Sequence, residues 1–473
     1  MTESNIKTSD NIPLEIASTQ PIRKVLVFLI IALGLFMTTV DATIVATALD
    51  TLQEELHTTV NWVSWTLTAY SFGLVLMLPL SAKLSTHFGH RRIFLLSVSL
   101  FTIASLCCGL ASNIYLLIAL RVIQAFGGAG FTPAATGIIV EHFGNARDRA
   151  VSLFGSIFPA GAMVGPIFGG VFVTYFSWRD IFFVNIPFGI IVILASLKFI
   201  PKDKNLDNRH KIDMDYEGIL LMAIGLLASM FAATYLGEKN SQVMSPLFIG
   251  LATTGIITIV LFFRHIKRRK NPFISPKFIY GKGFGAVNMI NVIYGGCAIG
   301  MISLIPLYAI NRYHINALNS GTLLVAEGIA SVTFSAIISL LLRRTGYRRP
   351  LYIGAAFITL GIFLIALKPL LGITPYFWLA GAAFFVGLGN GTISPPSRNA
   401  GLQLEPDHSA TIAAIRTLGM QIGSIISIAI ASAFIAGSTV PAQTQSWIYL
   451  ASAVLFICSM PLISRILEHK GSW

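Results

Sequence analysis

Fourteen apolar runs, each about as long as a helix needs to cross a bilayer, constrain this chain more than any single motif. A span takes about 20 residues, because a helix rises about 1.5 Å per residue across a hydrocarbon core of about 30 Å. The runs fall near 25–49, 60–82, 93–112, 114–140, 150–175, 180–200, 216–237, 246–263, 285–310, 320–342, 350–368, 376–398, 409–436 and 446–464. In lipid every backbone amide needs an internal partner, so such runs fold as helices and not as loops or open strands. Composition bears on the same point: only 11% of residues are charged, against about a quarter in soluble domains. The expected fold class is an all-α integral membrane protein.

Charge alternates along the connections. Arg23 and Lys24 precede the first run, and residues 87–92, 147–149, 198–211, "RHIKRRK" (264–270), "RRTGYRR" (343–349) and 465–470 follow on the same side. The opposite loops are poor in Lys and Arg. An excess of these residues marks cytoplasmic loops, so the expectation is a multi-pass protein of the cytoplasmic membrane with both termini inside. Trp62, Trp65, Trp178, Trp378 and Trp447 fall near the outer ends, where amphipathic rings anchor, and only Trp473 falls inside.

That distribution also argues against nucleic-acid binding, despite a net charge of +13, because the cations are dispersed over short loops. The first 20 residues are polar and lack a signal-peptide core, so the first run is expected to stay as a span. The longest polar segments, 201–215 and 264–284, are too short for a catalytic domain, and no phosphate-binding GxxxxGK[ST] occurs. Four cysteines lie in apolar runs without a CxxC or Cys/His cluster. No enzyme activity, cofactor or metal is expected.

Four charges lie well inside the runs, away from their ends. Asp41, in "LFMTTVDATIVATALD", costs roughly 2.5–3.5 kcal/mol to insert. It lies roughly 12 Å, and Arg121 roughly 10 Å, from the outer surface. Gln124 shares the face of Arg121. These three form either a cavity-lining proton switch or a static salt bridge between spans one and four. Glu327, in "SGTLLVAEGIASVTF", lies roughly 10 Å deep in span ten and either faces the cavity or is peripheral. Arg416, about seven residues from the cytoplasmic end of span thirteen, either lines the cavity or snorkels. All nine histidines sit in loops or at span ends, so proton movement would fall to carboxylates. Gly161, Gly165 and Gly169 share one helix face and permit close helix approach, and Pro166 invites a bend.

An internal echo divides the chain. "HFGHRR" (87–92) after span two matches "RTGYRR" (344–349) after span ten, and "GAGFTP" (128–133) in span four resembles "GNGTISP" (389–395) in span twelve. Two six-span units with an extra pair between them would give this offset and place a site near midplane. The expected divisions are a cytoplasmic tail (1–24), a first six-helix bundle (25–200), loops with two extra helices (201–284), a second bundle (285–464) and a short tail (465–473).

These motifs resemble the major facilitator superfamily, and within it the fourteen-span drug/proton antiporters. "DATIVATALD" (41–50) is similar to the first-span signature DxTxVNVALP, with Ala46-Thr47 and Asp50 departing from it. "LPLSAKLSTHFGHRR" (78–92) follows the loop motif GxLADRxGRRR at Leu84, Gly89, Arg91 and Arg92. Ala82, Thr86, His87 and His90 replace its leading Gly, its Asp and two Arg. "RVIQAFGGAG" (121–130) resembles RxxQGxGxG, "GAMVGPIFGG" (161–170) fits the antiporter motif GxxxGPxxGG throughout including Gly170, and "WRDIFFVNIPFGI" (178–190) matches the opening of span six.

The resemblance implies the major facilitator fold and proton-coupled efflux of amphipathic, cationic drugs by a functional monomer. Asp41, Arg121, Gln124, Glu327 and Arg416 would serve coupling or the cavity. Thr86, Gly89, Arg91, Arg92, Gly161, Gly165, Pro166, Gly169 and Gly170 would serve conformational change. The rival readings are an exporter of one physiological solute, such as a lipid precursor, siderophore or amino acid, and a transport-inactive sensor or scaffold.

Overall fold

The computed structural model describes residues 21–58, 60–203, 215–236, 242, 244–315, 317–370, 372–436 and 438–468. Most of the 1–24 tail, loop residues 204–214 and the end from 469, with Trp473, lie outside them. The described residues form helices joined by short turns, with no strand among them.

Among the described residues, fourteen helices are long and apolar enough to cross a membrane. They are Lys24–Thr47, Trp62–Phe88, His90–Gly109, Ile114–His142, Arg147–Tyr175, Asp180–Phe199, Tyr216–Leu236, Pro246–Arg268, Phe284–Ser303, Asn319–Thr345, Arg348–Ala366, Pro375–Leu402, Pro406–Ile435 and Pro441–Arg465, called spans one to fourteen below. Each overlies one expected run. Span nine is shorter than its run because the helix breaks at Leu304 and restarts as Ile305–Tyr313, where Pro306 supplies a pre-set first turn. Other ends have local causes. The Asn113 side chain accepts the Leu116 N–H (2.9 Å) to start span four, and Ser245 accepts the Phe248 N–H (3.1 Å) before Pro246 starts span eight.

Packing repeats between the halves. Spans two and four, three and four, one and five, and three and six pack together in the first half. Spans ten and twelve, eleven and twelve, nine and thirteen, and eleven and fourteen do so in the second. The chain is therefore two six-helix bundles related as parallel repeats. Spans seven and eight pair with each other, and span seven leans on spans two and thirteen.

The sequence echo has a structural cause. Gly89 (φ 102°) and Gly346 (φ 70°) take left-handed turns before spans three and eleven. The Asp203 carboxylate accepts the Arg91 and Arg92 N–H groups at 2.9 and 3.1 Å. The Glu468 carboxylate accepts those of Tyr347 and Arg348 at 2.6 and 3.2 Å. Each acid arrives just beyond the last span of its own half and caps a helix start, where unpaired N–H groups favour negative charge. A Cβ on either glycine would collide with that carboxylate.

The halves meet at the end that carries the basic loops. Ala82 packs with Ala410 and Ala414, the Asn399 side chain donates to the Asp148 carbonyl (3.2 Å) and to Ser152 Oγ, and Gly155 abuts Ser335 and Ser394. This is the basic end below.

Candidate functional site

The first half holds a closed polar network in an apolar bundle. Arg121 Nη1 donates to Asp41 Oδ2 at 2.7 Å. Gln124 Nε2 and Asn185 Nδ2 both donate to Asp41 Oδ1 at 2.8 Å. Gln124 also accepts from Arg121 Nη1 (2.6 Å) and donates to Ser105 Oγ (2.6 Å). The Arg121 guanidinium lies 4.1 Å from the centre of the Tyr70 ring. Asp41, Arg121 and Gln124 are each 0% exposed. The matched depths thus become a direct ion pair joining spans one and four, with span six contributing Asn185. In this conformation Asp41 lies sealed within the bundle and does not line a water-accessible cavity.

Span one is held against span five by a run of small residues. Gly161, Gly165 and Gly169 face Thr39, Thr43 and Thr47, and a Cβ on any of the three would overlap its threonine. The threonine hydroxyls bond back to their own helix, as Thr43 Oγ1 does to Val40 O (3.1 Å), so the contact is made by shape. Gly170 has open space where a Cβ would go and plays no part in this approach. Span five runs unbroken from Arg147 to Tyr175 through Pro166. The helix that carries Asp41 therefore packs directly against a glycine face of span five.

The second half is built differently. Glu327 Oε1 accepts from Asn390 Nδ2 of span twelve at 2.7 Å. Its neighbour Gly328 abuts Met163 of span five, which puts this half-buried acid beside the junction of the halves. Arg416 is 6% exposed and donates through Nε and Nη2 to Ser397 Oγ at 3.2 and 2.9 Å. Glu327 and Arg416 join neither each other nor the Asp41 network by a hydrogen bond or ion pair among the described residues.

The residues of the altered loop motif find their partners within their own half. Thr86 Oγ1 donates to Ala82 O (2.9 Å), while Asp203 supplies the carboxylate over Gly89, Arg91 and Arg92. Arg91 Nη2 donates to Leu197 O (2.8 Å). At the opposite end Trp178 is fully buried, with Nε1 donating to Glu55 at 2.8 Å. It locks a loop, unlike the exposed Trp62 and Trp447.

Sequence reasoning missed Asn185, Asn390, Asp203 and Arg398. Asn185 and Asn390 had one visible signal, a carboxamide inside an apolar run. Arg398, in "SPPSRNA", had the signal that Arg416 had, but lies closer to a span end.

Comparison with known proteins agrees with this architecture. Residues 31–428 match the family model described as Major Facilitator Superfamily. The chain is 28% identical over 401 residues to a "Multidrug resistance protein B homolog" of Mycobacterium tuberculosis, covering 84% of this chain and 73% of that protein. It is 28% identical to a riboflavin transporter of Clostridioides difficile (85% and 87% covered) and 29% identical to a putative multidrug resistance protein of Escherichia fergusonii (84% of each). The crystal structure of the human organic anion transporter MFSD10 superposes with a TM-score of 0.64 at 15% identity, covering 94% of this chain and all of that one. At that identity the likeness concerns the fold alone. With two six-span repeats, a sealed intramembrane ion pair and a family match over most of its length, this chain belongs to the Major Facilitator Superfamily and is a membrane transporter of small molecules.

Proposed function

We propose that this transporter exports amphipathic, cationic compounds across the cytoplasmic membrane by alternating access, with protons moving the opposite way, as a monomer with both termini cytoplasmic. The observation that carries the reading is the Asp41 carboxylate, sealed with Arg121 on the helix that rides the Gly161–Gly165–Gly169 face. While Asp41 is ionised, the pair is neutral overall. A proton on Asp41 leaves the Arg121 charge uncompensated in a low-dielectric interior, a state that favours rearrangement of spans one and four. The glycine face gives span one a path for that movement. Glu327, beside the junction of the halves, offers negative charge to a cationic substrate.

A second reading, export of one physiological solute, is favoured by the similarity to a riboflavin transporter. One experiment separates the two: purified protein in proteoliposomes, an imposed pH gradient, and several labelled cations beside riboflavin. Proton flux with many cations supports the first reading, and flux with riboflavin alone supports the second. Substrate movement without proton flux would refute the coupling, whichever substrate moves.

A further inference from the structure

Arg121 has its carboxylate, but two other deeply buried arginines have none. Arg398 of span twelve and Arg416 of span thirteen are 8% and 6% exposed. Neither forms an ion pair with any carboxylate among the described residues. Among the described residues Arg416 has only the Ser397 hydroxyl as a hydrogen-bond partner. Arg398 has the face of Phe158, 4.8 Å from its guanidinium carbon, and its Nε has no hydrogen-bond partner. Asn291 of span nine is 1% exposed, and neither its amide nitrogen nor its oxygen has a hydrogen-bond partner among the described residues. Buried polar groups are rarely left this way, and two like charges taken out of water together are costlier still.

The three side chains line one cavity. Ser397 shares it, Thr136 and Val151 close it from the first half, and in this conformation it has about 20 Å³ of room, the space of one water. Its walls come from both halves, so it enlarges when the halves part at the basic end. Span nine takes a wider π-type turn over Gly295–Gly300, just beyond Asn291. Such turns interrupt regular helix pairing and gather at functional sites.

We propose that Arg398, Arg416 and the Asn291 amide receive one oxyanion, a carboxylate, phosphate or sulfonate, when the halves separate at the basic end. Guanidinium groups present planar forks of N–H donors that suit two oxygens at once, and the carboxamide adds a further donor. A spherical halide would use few of these. The molecule bearing the oxyanion is either a soluble amphipathic substrate or a membrane lipid whose headgroup enters between the halves. The proposal concerns equilibrium binding, so it stands or falls independently of proton coupling.

Full-length protein in phosphatidylcholine nanodiscs, titrated with fluorescein and followed by anisotropy, provides the test. Arg398→Gln and Arg416→Gln are each expected to weaken binding about tenfold or more, the effect of losing a charge-assisted contact. Arg398→Lys should recover part of it, and Lys282→Gln, outside the cavity, should bind like the parent. Because Arg398 has no counter-ion, Arg398→Gln should also raise the melting temperature of the ligand-free protein. A second set of discs containing phosphatidylglycerol distinguishes the sources. Weaker fluorescein binding there in the parent, but not in Arg398→Gln, identifies an anionic lipid headgroup as occupant, and binding that is unchanged, or weakened equally in both proteins, identifies a soluble oxyanion. Unchanged fluorescein affinity in both glutamine variants would overturn the proposal. So would an Arg398→Gln protein that is destabilised or fails to fold, since the arginine would then be a structural element.

Discussion

Replacing Asp41 with asparagine removes one charge and almost no volume, and the geometry makes the consequence specific. Asp41 Oδ2 receives Arg121, while Oδ1 receives both Gln124 and Asn185. Asparagine offers one oxygen and one NH₂. If its oxygen faces the two carboxamides, its NH₂ opposes the Arg121 donor; if it is turned round, two donors oppose the NH₂. Either way a buried donor loses its acceptor, and Arg121 loses its counter-charge at 0% exposure. Breaking a buried ion pair from one side costs about 3–5 kcal/mol. The double variant Asp41→Asn/Arg121→Gln removes both charges and should regain most of that loss, so a double-mutant cycle should return a coupling on the order of 3 kcal/mol. Thermal unfolding in detergent would measure this, alongside pH-driven efflux from proteoliposomes. The stable double variant should still lack proton-driven efflux, which separates coupling from folding. Wild-type stability in the single variant would refute the ion-pair argument, and full proton-driven efflux in the double variant would refute the coupling role of Asp41.

Glu327→Gln should weaken efflux of divalent cationic dyes most and spare neutral substrates, with a cost of about 1–3 kcal/mol, roughly tenfold or more in affinity; equal losses for matched monovalent, divalent and neutral dyes would count against it. Gly165→Ala forces a Cβ into Thr43 and toward the Val40 carbonyl, so it should cost about 1–3 kcal/mol and slow transport, whereas Gly170→Ala should be silent in both assays. Asp215, buried at the foot of span seven, accepts from Phe273 N (2.9 Å), Gly218 N (3.0 Å) and His265 Nε2 (2.7 Å). Burial alone would raise its pKa, but the two backbone N–H groups and then His265 bring it below the usual carboxylate range. A folded-state pKa below the unfolded one gives stability that is present above about pH 4 and lost as pH falls through the folded value. Asp215→Asn should therefore lower the melting temperature at pH 7, and its deficit against the parent should shrink only below about pH 4.

Span number, fold class and the proximity of Asp41, Arg121 and Gln124 were legible because each follows from length or from periodicity along one helix. Twenty apolar residues give a span, depth along the helix matched Asp41 to Arg121, and spacing by four put three glycines on one face. The missing parts depend on which helices adjoin. Asn185 reaches Asp41 across 144 residues of sequence, and Asp203 caps span three from beyond span six. Neither pairing has a periodic signature. The second-half charges were read as individuals for the same reason: depth left Arg416 either lining the cavity or snorkelling, and only packing reveals that it is buried, that Ser397 is its partner and that Arg398 and Asn291 share its cavity.

Charge is balanced differently in the two halves, and this bears on how a ligand could drive the cycle. Asp41 and Arg121 neutralise each other inside one bundle, whereas Glu327, Arg398 and Arg416 have no opposite charge within ion-pair distance among the described residues. A ligand shifts a conformational equilibrium only through affinity that differs between the states. The cavity at Arg398 and Arg416 is too small for a carboxylate-bearing molecule while the halves are closed at the basic end. On the oxyanion proposal, binding there would select the state in which they are parted. A proton at Asp41 would act on the other half, by unbalancing the Arg121 pair. Substrate and proton would then address different bundles of one fold, and exchange would require only that the two bundles favour opposite openings.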